Sequence, residues 1–256
     1  GGIRNKTILS LVNLMTKSIY YFYPTILVQS PQFKDYLLGQ GVNDKQIIYY
    51  PYYAESFYDI VVPSTNIKQT FPKGLNIVFA GNIGVAQSFD TIINAVKIAS
   101  EKIDNFTLIV LGEGRDKKRI LDKINSMNLN NHFKFLGSFP PEKMPEFFAS
   151  ADALLVSLKK TKIFSMTIPG KLQSYLACGR PIIASLDGIG AEIIKESYCG
   201  YVSPSEDYEG LAKSIISFNN STEEKRINFG NNARQYFEQE FERDKLLLKL
   251  IDIISQ

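Results

Sequence analysis

The strongest constraint on the fold is a series of short, predominantly apolar segments that alternate with amphipathic helical patterns. These segments lie at 75–80, 106–111, 133–136, 153–158, 181–184 and 200–202. Strands with apolar side chains on both faces are buried on both faces, and strands that alternate with helices are typical of parallel sheets. The chain from about residue 74 onwards is therefore predicted to form an α/β domain with a doubly wound parallel sheet.

The N-terminal part has the pattern helix, strand, helix, strand. Ile8, Leu11, Val12, Met15 and Ile19 follow helical spacing, which predicts an amphipathic helix that packs on protein or, alternatively, lies on a membrane surface. Strands are expected at 24–29 and 46–50, with a second helix between them that begins near residue 31. Two strands and two helices cannot bury both faces of a sheet, so this segment is expected to be part of a larger domain.

Composition excludes several classes of protein. The net charge of +3 is too small for a protein whose main partner is nucleic acid. Cys178 and Cys199 are the two cysteines, and they have neither disulfide nor metal-ligand spacing, so both are interpreted as buried thiols. No apolar run reaches the roughly 18 residues of a membrane span. Residues 63–73 lose all periodicity and contain Pro63 and Pro72, which predicts a linker.

Ligands of an open parallel sheet bind beyond the carboxyl ends of its strands, so the loops that follow the strands are the candidate site. These loops are 81–84 (GNIG), 112–115 (GEGR), 137–141 (GSFPP), 159–162 (KKTK) and 187–190 (DGIG). Each also has a purely structural interpretation, because glycines serve tight turns and lysines serve solvated loops. The prediction of a site depends on all of them meeting at one edge of the sheet.

The segment Pro169-Gly170-Lys171 is the sharpest of these signals. A helix that begins at a Pro-Gly turn presents unpaired backbone N–H groups and the positive end of its dipole, which together attract a phosphate. Lys171 adds a cation at the same place. The sequence therefore predicts a site for a phosphorylated ligand at the end of the sheet.

Several motifs, by their order and spacing, resemble those of family 4 glycosyltransferases, and in particular those of the bacterial enzymes that build surface polysaccharides. The motifs are 79–84 (FAGNIG), 108–114 (LIVLGEG), 135–137 (FLG) and 169–181 (PGKLQSYLACGRP). The resemblance implies a retaining enzyme of the GT-B type, in which two Rossmann-like domains face each other across a cleft. It covers the chain from about residue 20 to the C-terminus.

The resemblance also assigns the domains. Residues 1–62 would be a remnant of the N-terminal acceptor-binding domain, 63–73 the linker, 74–240 the domain that binds the nucleotide-sugar donor, and 241–256 a helix that returns toward the N-terminal part. The chain would be a truncated form or one subunit of a split enzyme, completed by the missing N-terminal domain or by a partner subunit.

The donor-binding residues implied by the resemblance come from the loops at the carboxyl edge. Gly81, Asn82 and Gly84 match the loop beside the diphosphate, Lys171 matches the phosphate- and sugar-contacting turn, and residues 136–139 match the segment that frames the base. The full expected set is Gly81, Asn82, Gly84, Gly137, Phe139, Lys160, Thr167, Pro169, Gly170, Lys171, Gln173, Ser174 and Glu192.

The chain departs from the family pattern at two places. Met166 and Ser174 stand where many members carry glutamates, so Gln173 and Ser174 are expected to contact the ribose and Glu192 to supply a carboxylate. The first loop has 85–87 (VAQ) in place of the usual basic residue. Positive charge would then come from Lys171, with Lys160 or Lys162. The resemblance implies neither a metal nor another cofactor, and no catalytic acid or base is assigned.

The expected function is transfer of a sugar from a nucleoside diphosphate sugar, UDP-linked, to a surface polysaccharide or lipid-linked oligosaccharide, with retention of configuration. A lipid-linked acceptor would place the reaction in the cytoplasm, at the inner face of the membrane. One alternative is a non-catalytic nucleotide-sugar-binding or assembly subunit that needs a partner chain. Another is a nicotinamide-dependent oxidoreductase, although the first strand-turn lacks the third glycine and the downstream acid of the dinucleotide fingerprint.

Overall fold

A computed structural model describes residues 5–255 of the chain. It contains two compact units, of which one ends at Pro51 and the other begins at Tyr52. Each unit has its own sheet and its own buried apolar residues.

The N-terminal unit contains a short parallel sheet with two helices. Its elements are α1 (Lys6–Phe22), β1 (Ile26–Val28), α2 (Pro31–Gly39) and β2 (Ile47–Tyr49). The predicted order of helix, strand, helix, strand is confirmed, and β1 pairs with β2 in parallel. The Ser30 hydroxyl accepts from the Phe33 N–H at 3.2 Å and caps α2, with Pro31 in the first turn, as expected for this pair of residues. The buried core consists of Val28, Leu37 and Ile47.

Helix α1 differs from the expectation that its apolar stripe packs on protein. Ile8, Leu11, Val12, Met15 and Ile19 are all exposed, with Met15 at 66%. The helical periodicity predicted the helix correctly, but the rest of the N-terminal unit does not bury its apolar face. None of the helices in these residues is long and apolar enough to cross a membrane.

The C-terminal unit is built on a six-stranded, fully parallel sheet in the order β5-β4-β3-β6-β7-β8. The strands are β3 (Leu75–Ala80), β4 (Phe106–Leu111), β5 (Phe133–Gly137), β6 (Ala153–Ser157), β7 (Ile182–Ser185) and β8 (Gly200–Ser203). Each predicted apolar segment holds one of these strands, so the predicted doubly wound parallel sheet is confirmed. The strand order reverses between β3 and β6, which is the point where ligands bind in such sheets.

Helices cover both faces of this sheet. They are α3 (Thr65–Lys68), α4 (Phe89–Ser100), α5 (Lys117–Ser126), α6 (Met144–Ser150), α7 (Lys162–Ser165), α8 (Gly170–Ala177), α9 (Ile189–Glu196), α10 (Tyr208–Asn219), α11 (Glu223–Glu240) and α12 (Arg243–Ile254). An apolar core lies on each face of the sheet, and alternate residues of β3 belong to one or the other. Ile77 and Phe79 pack with α4 and α10 on one face, and Val78 and Ala80 pack with α6 and α8 on the other.

The segment before β3 is more ordered than a linker. Residues 63–73 contain α3, and Ile67 and Phe71 pack against the buried core. The boundary between the compact units also lies after Pro51, earlier than the expected boundary after residue 62. A single helical turn gives no periodic signal, which explains why the sequence predicted only a linker here.

Candidate functional site

A cleft of about 450 Å³ lies at the carboxyl edge of the sheet, where β3, β4 and β5 end beside the start of α8. The lining residues come from these strand ends, from α6 and α8, and from the segment before α3. They are Tyr58, Ala80, Gly81, Asn82, Leu111, Gly112, Glu113, Ser138, Phe139, Pro141, Met144, Phe148, Gly170, Lys171, Ser174 and Tyr175. The loops after three neighbouring strands therefore meet in one place, as the parallel topology requires.

Helix α8 points its N-terminus into this cleft. Pro169 is the N-cap with φ −63°, and Gly170 is the first helical residue and is exposed. With its amide nitrogen facing the turn, Gln173 donates to the carbonyl oxygens of Pro169 and Gly170 at 2.9 and 3.0 Å. No acidic residue occupies the first turn of α8, so its free N–H groups and dipole are not neutralised by the helix itself.

The Lys171 ammonium group is the least satisfied charge of the cleft. Its Nζ is shielded from solvent and has no hydrogen-bond partner in the part of the chain that the structure describes. It lies 3.9 Å from the centroid of the Phe79 ring, a cation–π contact that compensates only part of its lost hydration. Burial accordingly lowers the pKa of Lys171 to about 7. A buried ammonium in this state is suited to an anionic partner.

Two glycines allow the strand ends to approach each other at the floor of the cleft. Gly81 has φ +136°, and a Cβ there would lie 3.1 Å from the Lys171 Nζ. Gly112 has φ +144°, and a Cβ there would lie only 2.0 Å from the Gly81 carbonyl oxygen. Only glycine is free of side-chain strain in such conformations. Both positions therefore need glycine for the backbone conformation itself, whatever they bind.

The structure brings part of the expected set of site residues together in the cleft. The members that line it are Gly81, Asn82, Phe139, Gly170, Lys171 and Ser174. Others adjoin these residues without lining the cleft. Pro169 is the N-cap of α8, and Gln173 lies in the first turn of that helix. The Gly137 carbonyl accepts from the Gly112 N–H at 2.7 Å, and Gly84 lies against the Asn82 side chain.

The remaining expected residues do not line the cleft. The backbone N–H of Lys160 donates to the Glu206 carboxylate at 3.2 Å, and the Thr167 hydroxyl donates to the Ile163 carbonyl at 2.7 Å. Glu192 lines a separate cavity of about 160 Å³ beyond β7, with Asp187 and Lys195. Their part in donor binding stays a prediction from the family resemblance.

Sequence reasoning missed the tyrosines of the cleft. Tyr58 comes from the irregular segment before α3, stacks on Phe148 with ring centroids 6.2 Å apart, and is hydrogen-bonded to Ser174. Tyr175 follows Lys171 by one helical turn, and the sequence marks it only as part of the motif at 169–181. The one available signal was the i, i+4 spacing of Lys171 and Tyr175, which puts both on the same helix face.

Glu113 supplies the only carboxylate among the residues that line the cleft. It is half exposed and pairs with Lys117 at 2.6 Å. Within residues 5–255, no three His, Cys, Asp or Glu side chains are grouped so that they could hold a metal ion. The arrangement can therefore bind an anion through one ammonium group and the N–H groups of a helix start.

Known proteins similar to this chain are glycosyltransferases. The chain is 27% identical over 172 residues to an uncharacterized glycosyltransferase of Methanocaldococcus jannaschii, a match that covers 67% of this chain and 45% of the relative. It is 22% identical over 151 residues to the amylovoran biosynthesis glycosyltransferase AmsK of Erwinia amylovora, covering 59% and 37%. The chain thus spans less than half the length of these relatives.

Among solved structures, Anabaena HepE in complex with UDP and glucose has a TM-score of 0.75 at 16% identity, over 91% of this chain and 63% of HepE. This likeness confirms the expected GT-B-type α/β fold. The family described as "Glycosyl transferases group 1" matches residues 64–236, a range that contains the whole six-stranded sheet and every expected site residue. The chain therefore belongs to the group 1 family of glycosyl transferases.

Proposed function

We propose that the C-terminal unit binds the donor of a retaining, family 4 type glycosyltransferase, and that the donor is a UDP-sugar. The acceptor would be a growing surface polysaccharide or a lipid-linked oligosaccharide, with the reaction at the inner face of the cytoplasmic membrane. The UDP in HepE and the amylovoran named for the Erwinia relative support these finer assignments, and the motif resemblance supports retention.

The buried, unpaired Nζ of Lys171 beside the start of α8 is the observation that carries the proposal. Breaking the glycosidic bond of a nucleotide sugar leaves negative charge on the departing diphosphate. A preorganised ammonium and helix N–H groups stabilise that charge in a site that excludes water, and they need no metal to do so. The same groups also bind the intact diphosphate in the ground state.

The shape of the cleft supports a nucleotide. Its volume of about 450 Å³ falls in the range of roughly 300–1,000 Å³ that small-molecule sites occupy. Phe139, in the segment expected to frame the base, is 40% exposed and is held by the Phe147 ring at 4.6 Å. An exposed aromatic ring fixed in this way can pack against a flat base.

Calorimetry on the chain tests the donor site. We expect binding of UDP, weaker binding of GDP, and none of NAD. The substitution Lys171→Met keeps an unbranched apolar side chain and removes the ammonium, so it should weaken UDP binding by about 1.5–3 kcal/mol, the range for a hydrogen bond to a charged group. Lys134→Met is the matched control, because the Lys134 Nζ donates to the Thr70 carbonyl at 2.8 Å outside the cleft.

Three outcomes would contradict the proposal. Equal UDP affinity of Lys171→Met and the parent chain would remove Lys171 from the site. An equal loss of UDP affinity in Lys134→Met would mean that the loss in Lys171→Met comes from the reduced net charge of the chain. Binding of NAD in preference to UDP would favour the oxidoreductase alternative.

A second candidate function is a nucleotide-sugar-binding subunit that acts only with a partner chain. The exposed apolar stripe of α1 and the two-stranded sheet beside it favour this candidate, because so small a sheet is rarely stable alone. Incubating the chain with UDP-sugars and a lipid-linked acceptor separates the two. Transfer by the chain alone would exclude the subunit role, and NMR of the product's anomeric proton would decide between retention and inversion.

A further inference from the structure

The sheet opens beside β3 at the point where the strand order reverses. β3 pairs with β4 over its whole length, but with β6 only at Ile77 and Val78. In a parallel strand, alternate residues direct their backbone groups to alternate neighbours. The Gly81 N–H donates to the Leu111 carbonyl of β4 at 2.8 Å, so the backbone groups of Ala80 face the side where β6 has already diverged.

The Tyr175 hydroxyl provides the hydrogen bonds that β6 does not make with the end of β3. The Tyr175 hydroxyl accepts from the Ala80 N–H at 3.0 Å and donates to the Ala80 carbonyl at 3.4 Å. Tyr175 is fully buried, and burial raises its pKa above the ordinary range, so the hydroxyl stays neutral and can both accept and donate. Backbone groups buried without such a partner are rare in proteins.

This hydroxyl joins the two halves of the proposed phosphate site. Ala80 leads directly into the Gly81 turn, and Tyr175 stands one turn after Lys171 on α8. The Lys171 Nζ reaches the same strand end, at 3.9 Å from the Phe79 ring. Both α8 side chains therefore contact β3 within its last two residues.

We propose that Tyr175 is a positioning residue, whose hydroxyl holds the end of β3 and the Gly81 turn in register with Lys171 and the N-terminus of α8. The inference rests on the proposed function, because it assumes that these two elements together bind a diphosphate. Tyr175 itself need not touch the ligand.

The hydroxyl can be separated from the packing of the ring. The Tyr175 ring makes an edge contact with Phe148, with centroids 5.0 Å apart, and Tyr175→Phe keeps that contact. Tyr201→Phe is the matched control. The Tyr201 hydroxyl lies 3.0 Å from the Ser221 Oγ, and the ring packs on Phe229, so this variant loses one hydroxyl hydrogen bond of β8 away from the cleft.

The experiment measures binding of UDP by calorimetry and of uridine by NMR titration, for the parent chain and both variants. Tyr175→Phe leaves the buried backbone groups of Ala80 without their partner and lets the end of β3 shift, so we expect it to lower UDP affinity about tenfold. Uridine affinity should stay unchanged, because uridine lacks the diphosphate. Tyr201→Phe should leave both affinities unchanged.

Several results would overturn the positioning role. Unchanged UDP affinity in Tyr175→Phe, or an equal loss for UDP and uridine, would each contradict it. Should Tyr175→Phe fail to fold, hydrogen exchange of the Ala80 amide in the parent chain decides: slow exchange supports the role, and exchange as fast as in an exposed loop refutes it. Failure of the parent chain to bind UDP would instead refute the proposed function, and the positioning role with it.

Discussion

The two edges of the six-stranded sheet carry very different cavities. The cleft at the carboxyl edge has about 450 Å³, whereas a cavity of about 630 Å³ lies at the amino edge, beside the residues that precede β6 and β7. The larger cavity is lined by two arginines, Arg180 and Arg226. Each guanidinium donates through one terminal nitrogen to a backbone carbonyl, of Ala151 and of Asn219 respectively, although the Nε of each is buried without a partner among the described residues.

The helices that begin at the two edges also differ in whether acidic residues occupy their first turn. α11 begins at the amino-edge cavity with Glu223 and Glu224 in its first turn, so its own acids neutralise the positive end of its dipole. α8 begins at the smaller cleft with no acid and with the unpaired Lys171. The proposed anion site therefore differs from the larger cavity in two ways, and neither is volume: its helix start carries no acid, and its ammonium group makes no hydrogen bond to the described residues.

Glycine substitutions at the two edges test this comparison with the largest expected effect. Gly112→Ala would place a Cβ 2.0 Å from the Gly81 carbonyl oxygen, and Gly230→Ala would place one 2.5 Å from the Gly179 carbonyl oxygen. Both should lower the free energy of unfolding by about 1–3 kcal/mol, because the packed backbone must shift. Only Gly112→Ala moves the floor of the cleft, so it alone should lose UDP affinity, by about 5- to 150-fold, which corresponds to the roughly 1–3 kcal/mol of polar groups that lose their partners.

Chemical denaturation and calorimetry on the folded variants check both parts of this prediction. Gly39→Ala serves as a further control, since nothing lies within 4 Å of its added Cβ and Gly39 belongs to the N-terminal unit. A similar loss of UDP affinity in Gly112→Ala and Gly230→Ala would show that the binding site is not confined to the carboxyl edge.

The next largest effect concerns pH. The pKa of Lys171 is lowered to about 7 by burial, and a bound diphosphate would raise it again. Binding therefore takes up a proton above pH 7, and the affinity for UDP-glucose should fall by up to about tenfold per pH unit from there. Calorimetry in buffers of different ionisation enthalpy measures the proton uptake directly. UDP-glucose is the better probe, since its diphosphate does not titrate near neutrality.

In the unliganded chain, the free energy of unfolding should rise with pH, whereas the affinity for UDP-glucose falls. Between pH 7 and the ordinary lysine pKa of about 10.4, the unfolded state holds the Lys171 proton more than the folded state does. The contribution of this group to the free energy of unfolding therefore rises with pH across that window. Lys171→Met should abolish both the pH dependence of UDP-glucose binding and this rise. A pH dependence that persists in Lys171→Met would assign the proton to another group.

The strands of the larger sheet and the start of α8 could be predicted from the sequence, for specific physical reasons. Strands buried on both faces are predominantly apolar in sequence, as in Leu75–Ala80. The start of α8 was visible because Pro169 and Gly170 have strong local preferences. The Tyr175–Ala80 contact spans 95 residues of sequence and depends on the divergence of β3 and β6, which no local pattern encodes. The exposure of the α1 stripe likewise depends on what packs around it.

Glu192 is a second case in which local sequence does not show which cavity a residue lines. Its substitution has the smallest effect that we expect. The sequence places it at the carboxyl edge, and the structure has it there, in the first turn of α9, but it lines the small cavity beyond β7 and not the cleft. A carboxylate there interacts favourably with the helix dipole, so Glu192→Gln should lower the free energy of unfolding by about 0.3–1 kcal/mol. Its distance from the cleft lining predicts a change of less than about twofold in UDP affinity, within the scatter that surface substitutions produce. If calorimetry with UDP-glucose instead shows a tenfold loss while UDP affinity is unchanged, Glu192 contacts the sugar, and the site extends past β7 along the carboxyl edge.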